Sequence, residues 1–172
     1  NYAYYNSFFK DKNLSIASVR AGNVIGGGDW QNSRIVPDAI RAYESKNELL
    51  IRMPNATRPW QHVLEPLMGY LLLAARMYKK PKKYDGAWNF GPSTRKNLTV
   101  GELVSQISSK FDNLKYKTIN NDIYEPNYLR LSSLKAKKQL GWKKILTDKE
   151  MVHLIAEWYL NYKEGDTYNL CS

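Results

Sequence analysis

A short apolar run, Leu14-Ser15-Ile16-Ala17-Ser18-Val19-Arg20, leads directly into a loop carrying Gly22, Gly26, Gly27 and Gly28. Small and aliphatic residues without strict alternation are what a buried strand of a parallel sheet requires. Such a strand needs parallel neighbours, and the chain does not obviously supply them. The run therefore predicts an α/β fold in which this strand belongs to a sheet encoded mostly upstream. Tyr2 to Phe9 agrees with that, since it reads as the tail of an amphipathic helix with no N-cap before it.

Downstream, Pro37 stands where a first helical residue is expected, with the helix continuing from Asp38 to Ser45. Leu49 to Arg52 reads as a strand, Met53 to Pro59 as a loop, and Pro66 to Tyr78 as a strongly apolar helix. Ala87 to Phe90 is a short strand closed by Gly91-Pro92. Two capping boxes follow, Thr99 with Glu102 and Thr147 with Glu150, in which each threonine oxygen takes a free amide and each glutamate reaches back to the cap. They open helices to about Phe111 and Tyr162. Tyr116 to Asn120 alternates like a strand, and Ser133 to Leu140 is a helix with Gly141 as its left-handed terminator. There is no internal repeat or low-complexity tract. The pattern is an α/β domain whose long loops carry function.

The chain has 172 residues, enough for a single real core. A net charge of +10 predicts attraction to anions without naming them, and lysine runs such as Lys79 to Lys83 also suit a solvated surface. One cysteine, Cys171, excludes a disulfide framework, and His62 and His153 share no ligand spacing, so no metal is expected. The apolar stretch Leu71 to Ala75 is far too short to span a bilayer, and no signal peptide opens the chain. A cytoplasmic setting and no membrane partner are expected. His153 reads as a structural helix residue and His62 as a packed, hydrogen-bonded strand residue.

The glycine loop admits two readings. It is either a tight turn or a place where backbone approaches a ligand at the carboxyl end of a strand, with Asn23 offering an amide beside it. Neither a phosphate loop nor the GxGxxG fingerprint is present, so the chain contains no nucleotide-cofactor fold by itself. Arg34, Arg52 and Arg58 each stand at a loop or strand end, where a planar fork can serve an ion pair or a pyrophosphate. Arg58 is set between a threonine and a Pro-Trp pair, which favours a held guanidinium. Ile123 to Arg130, rich in tyrosine beside a proline, is either an aromatic loop or a stacking platform. No acid–base pair or nucleophile with its base is visible. The residues alone specify a domain for an anionic, phosphorylated ligand.

Four segments resemble the CDP-glucose 4,6-dehydratases, a branch of the extended short-chain dehydrogenase/reductase (NAD-dependent epimerase/dehydratase) family. They are Ser18 to Trp30 with its Gly-Gly-Gly-Asp-Trp, Arg34 to Asp38, Thr57 to Pro66 with its Arg-Pro-Trp-Gln-His, and Trp88 to Pro92. Ser133 to Trp142 is similar to a signature shared more widely among nucleotide-sugar epimerases and dehydratases. The resemblance implies the C-terminal part of an extended Rossmann-type dehydrogenase: the last strand or strands of the parallel sheet plus a smaller mixed α/β substrate-binding domain. It divides the chain into 1–22, the tail end of the NAD-binding domain, 23–165, the nucleotide-sugar-binding domain, and 166–172, a C-terminal tail.

In that family NAD oxidises carbon 4 of the hexose, water leaves across carbons 5 and 6, and the hydride returns to carbon 6. In bacteria the 4-keto-6-deoxy product feeds 3,6-dideoxyhexose synthesis for the O-antigen of lipopolysaccharide. By resemblance, Asn23 contacts the substrate diphosphate, Arg34 faces the nucleotide and Arg58 clamps the diphosphate. Arg52 is a candidate base or ribose contact, Glu125 and Tyr128 help enclose the nucleotide, and Ala21 and Gly22 pass near the nicotinamide. The catalytic residues and the NAD fingerprint are expected before Asn1, so this chain alone is expected to be inactive. Its expected partners are a nucleotide sugar, the N-terminal half and, when intact, a second copy. Ser132 replaces the family's usual aspartate before the last signature, though serine is itself a good cap. Another nucleotide-sugar dehydratase or epimerase (dTDP, UDP or GDP) remains an alternative. A nucleic-acid-binding module fits less well, because the basic residues form no stripe and no such motif is present.

Overall fold

The computed structural model describes residues 2–92, 97–112, 114–119 and 129–165. A helix α1 (Tyr2–Phe8) precedes strand β1 (Ala17–Ala21), and then β2 (Asn23–Ile25), α2 (Ile35–Glu44), β3 (Leu49–Ile51) and β4 (Trp60–His62) follow. The chain continues through α3 (Leu64–Lys79), β5 (Gly86–Phe90), α4 (Val100–Ser108), β6 (Tyr116–Thr118), a π-helical turn (Ala136–Leu140) and α5 (Asp148–Asn161). The six strands form three two-stranded parallel ladders: β1 with β5, β2 with β4, and β3 with β6.

The β1 partner corrects one expectation. β1 finds a parallel neighbour inside this chain, in register from Ala17 opposite Gly86 to Ala21 opposite Phe90. Its burial is also less complete than a central strand demands, because Val19 and Arg20 are exposed. Just before β1, the Ile16 amide donates to the Asp85 side chain at 3.1 Å and its carbonyl accepts from the Gly86 amide at 3.0 Å. β2 was not foreseen as a strand. It is three residues long and is separated from β1 by Gly22 alone.

α2 begins two residues before Pro37, so the proline is the third helical residue and not the first. The first-turn amides lack intrahelical acceptors in any case, and a missing N–H there costs little. α3 likewise starts at Leu64, ahead of Pro66. Both capping boxes form as read: Thr99 with Glu102 opens α4 and Thr147 with Glu150 opens α5. Leu134 to Leu140 is wound mostly as a π turn, ended by Gly141 at φ 75° as expected. Ser132 makes no cap there, and instead its carbonyl accepts from the Asn89 amide at 3.3 Å.

Two apolar clusters hold these elements. The larger packs α2, β3, α4 and α5 around Ile40, Ile51, Leu103, Ile107, Phe111 and Ile155, with Trp60 of β4 at its edge. The smaller joins α3, β5 and the π turn through Leu73, Trp88, Phe90, Leu140 and Trp142. Gly69 lets α3 lie directly on Phe90, whose ring stands 2.3 Å from where a Cβ would be. The outward face of α3 has no cover among the described residues: Leu64, Leu67, Met68 and Leu71 repeat at helical spacing, and Leu71 is 66% exposed. No helix of the described residues is long and apolar enough to cross a membrane.

Candidate functional site: a cavity at the β1–β2 switch

The chain changes ladder at Gly22. The Gly22 amide still donates to the Phe90 carbonyl of β5 at 3.2 Å, and the next amide, Asn23, donates to Pro59 at the head of β4 at 2.8 Å. A Cβ at Gly22 would lie 2.3 Å from the Pro59 oxygen, so only glycine fits this crossing. Two ladders diverging at strand ends open a crevice, the usual place for a ligand in folds of this kind. Here a cavity of about 840 Å³ runs from Gly22 and Asn23 past the start of α2 to β3, with Arg58 and Trp60 on its remaining side.

Four of the sequence-predicted binding residues, Asn23, Arg34, Arg52 and Arg58, line this one cavity, and so does Gly22. Arg34 caps α2 and lies 3.7 Å from the Asp29 carboxylate. The unsatisfied amides of the α2 first turn add positive potential beside it. Arg58 is fixed at its backbone and its head. Its amide donates to the Leu98 carbonyl at 3.4 Å, its carbonyl accepts from Trp60 at 2.9 Å, and its Nη1 donates to the Thr57 carbonyl at 3.1 Å. The Trp60 indole also donates to Leu98, at 3.1 Å, so arginine and tryptophan hang from the same carbonyl. Arg52 is exposed just past β3. Ala21 ends β1 opposite Phe90 and does not line the cavity. Glu125 and Tyr128, with most of the tyrosine-rich loop, lie outside the described residues.

Three carboxylates share the cavity with the arginines, and each has a cationic partner. Asp29 pairs with Arg34, Asp38 with Arg41, and Glu48 with Lys117 at 2.8 Å. The hydrogen bond and charge of Lys117 hold Glu48 below the usual carboxylate range. Among the residues lining the cavity, no nucleophile faces a base. The arrangement suits the binding of an anion with a polar and aromatic rim. No cluster of metal-ligating side chains occurs among the described residues. Both histidines lie outside the cavity. His62 is buried in β4, accepts from the Leu64 amide at 3.4 Å, and is pushed below its usual pKa by burial, against the opposing charge of Glu65. His153 is a surface residue 3.8 Å from Glu157 and takes no part in the core, contrary to a structural reading of it.

No family model matches the chain. Among curated proteins, CDP-glucose 4,6-dehydratase of Salmonella typhimurium is 39% identical over 177 residues, spanning 99% of this chain and 49% of its own length. By sequence, the chain is a relative of CDP-glucose 4,6-dehydratase. It spans about half the length of that enzyme. Solved structures agree on the fold. A UDP-glucose 4-epimerase from Stenotrophomonas maltophila, with bound NAD, superposes with a TM-score of 0.77 at 14% identity, over 94% of this chain and 52% of its own. An NAD-dependent NDP-hexosamine 5,6-dehydratase of tunicamycin biosynthesis gives 0.67 at 19% identity, over 87% and 46%. The fold is therefore α/β, of the extended dehydrogenase type, over about half of those chains.

The segments that resemble the dehydratases gather around this crevice. Ser18 to Trp30 supplies β1, the Gly22 crossing and the loop above the cavity, while Thr57 to Pro66 supplies Arg58, β4 and the start of α3. Sequence reasoning passed over Asp29, although it stood in the quoted glycine motif, and it missed the residues on α5 that hold that loop from a distant part of the chain. For a dinucleotide, the described residues offer no glycine cradle. Gly22 is explained by the Pro59 carbonyl, and Gly27 by Trp158, whose Cγ lies 2.2 Å from a Cβ position there. These residues do not form a cofactor site on their own.

Proposed function

We propose that this chain is the nucleotide-sugar-binding, C-terminal portion of an NAD-dependent CDP-glucose 4,6-dehydratase, with Asn23, Arg34, Arg52 and Arg58 as the ligand contacts. The observation that carries the reading is their convergence on one cavity in a chain 39% identical to that enzyme. Asn23 and Arg58 take the diphosphate, the head of α2 and Arg34 add positive potential, and Arg52 faces base or ribose. Glu125 and Tyr128 are assigned to the cover of the nucleotide. Residues 1–22 belong to the dinucleotide half, residues 23–165 to the sugar-nucleotide half and residues 166–172 to a tail. Ala21 and Gly22 lend only backbone to the nicotinamide edge. The dinucleotide supplies the reversible hydride acceptor in such an enzyme. The proton and hydride steps are assigned to residues outside this chain, which is inactive by itself and works in the cytoplasm.

The open edge of β1 and the bare apolar face of α3 support docking of the dinucleotide half. The test is calorimetric titration of the chain with CDP-glucose, dTDP-glucose, UDP-glucose and GDP-mannose at two salt concentrations. Preferential binding of CDP-glucose, lost in Arg58→Ala, with a shallow salt dependence, is the expected result. Equal binding of all four sugars would overturn the choice of base, and dehydration by the chain alone would overturn its inactivity. A second reading, a UDP-sugar enzyme, has the epimerase superpositions in its favour, and the same titration decides it.

A further inference from the structure

Three consecutive carbonyls in the loop above the cavity are each held by a side chain from a helix. Tyr159 of α5 donates its hydroxyl to the Asp29 carbonyl at 2.7 Å. Arg41 of α2 donates to the Trp30 carbonyl at 3.0 Å and to the Gln31 carbonyl at 3.3 Å, and is itself fixed by Asp38. The loop is seated on aromatic rings as well. Trp158 lies against Gly27, and Trp30 meets Tyr159 edge-on at 5.3 Å and Tyr162 at 5.2 Å. Trp158 and Tyr162 stack with their rings 4° from parallel, and Glu44 anchors Tyr162 from α2 at 2.7 Å. Burial pushes the Tyr159 phenol up to about 12, with the Asp29 charge adding to the effect, so it stays an O–H donor at neutral pH. From this tether the Asp29 carboxylate reaches two ways, to the Gln31 amide at 3.0 Å and to the Arg34 guanidinium at 3.7 Å.

We propose that Tyr159 is a positioning residue: by holding the Asp29 carbonyl it fixes the loop over the cavity and, through the Asp29 carboxylate, sets where Arg34 stands. Arg34 is largely exposed, and a long side chain at a helix cap would otherwise sample many rotamers. Holding it in advance removes part of the ordering cost of binding an anion. For ligand affinity the proposal rests on the nucleotide-sugar reading, whereas the tether of the loop does not.

The experiment uses the full chain, as wild type, Tyr159→Phe and, as a second variant outside the core, Arg41→Gln. Hydrogen exchange read by mass spectrometry reports the loop without any ligand. Both variants are expected to speed exchange of the Gln31 amide by about tenfold and to leave the α4 amides from Leu103 to Ile107 unchanged. An unaltered loop overturns the proposal, and so does acceleration of loop and α4 alike, which is the mark of a role in global stability alone. CDP-glucose titration is the second arm. Tyr159→Phe is expected to weaken binding roughly three- to tenfold, the scale of one lost hydrogen bond. In an Arg34→Ala background the same change is expected to add nothing, because its effect passes through Arg34. An additive loss overturns that route. A wild-type chain that does not bind CDP-glucose while the loop still loosens in Tyr159→Phe counts against the ligand reading and supports the tether.

Discussion

Glu65 stands in the first turn of α3 with its carboxylate buried, and its Oε1 accepts from the Ile145 and Leu146 amides at 2.9 and 2.7 Å. Its carbonyl takes the Trp142 indole at 3.1 Å. One residue thus fastens the segment before α5 to the start of α3. Glu65→Ala leaves two part-buried amides without their acceptor, at about 2 kcal/mol in total, whereas Glu65→Gln keeps an acceptor and costs about 1 kcal/mol. Urea midpoints read at constant slope check the difference.

His62 makes a prediction about pH. Its folded pKa lies below the ordinary value because burial disfavours the charge. As pH falls through about 6.5, the unfolded chain takes up a proton that the folded chain refuses, so stability declines with acid. Wild-type melting temperature is expected to drop below that pH more steeply than that of His62→Gln. Parallel curves for the two proteins would remove His62 as the cause.

At the scale of elements, α5 depends on its capping box, and through Trp158 and Tyr159 it also carries the loop over the cavity. Thr147→Ala is expected to cost about 1 kcal/mol, read by thermal or urea unfolding. Gly69→Ala drives a methyl into the Phe90 ring and is expected to cost about 1 to 3 kcal/mol by overpacking, read in the same way.

The capping boxes could be read from sequence because each is a contract among four contiguous residues, and Gly141 because one residue supplies its whole conformation. β2 could not be read. Three residues become a strand only when Trp60 to His62 arrive beside them, and no local pattern encodes that arrival. The π winding at Ala136 to Leu140 was hidden in the same way, since its residues suit any helix. At the site, the arginines stood out because they occur in recognisable motifs beside strand ends. Asp29 and Tyr159 are joined across 130 positions, a distance that periodicity does not cross. The exposure of α3 was illegible too, because an apolar helix reads alike whether or not anything covers it.

At the scale of the molecule, the bare face of α3 is an apolar row open to solvent among the described residues. Contiguous exposed apolar rows promote association. Replacing Leu67 and Leu71 by lysine is expected to raise the solubility of the 172-residue chain and leave its melting temperature nearly unchanged, checked by light scattering and calorimetry. A large drop in melting temperature would mean that those side chains already serve this fold.

The ladders also set a timetable. Each joins strands tens of residues apart, β1 waiting for β5, β2 for β4, and β3 for β6. Pairing of such distant segments makes folding slow, on the order of milliseconds to seconds. On a ribosome, Ala21 does not meet its β5 partner until Phe90 has emerged, nor Ile51 its β6 partner until Thr118 follows. Within this chain α1 and α2 are made before any ladder exists, and α3 is complete before β5, the strand it packs on, has been made.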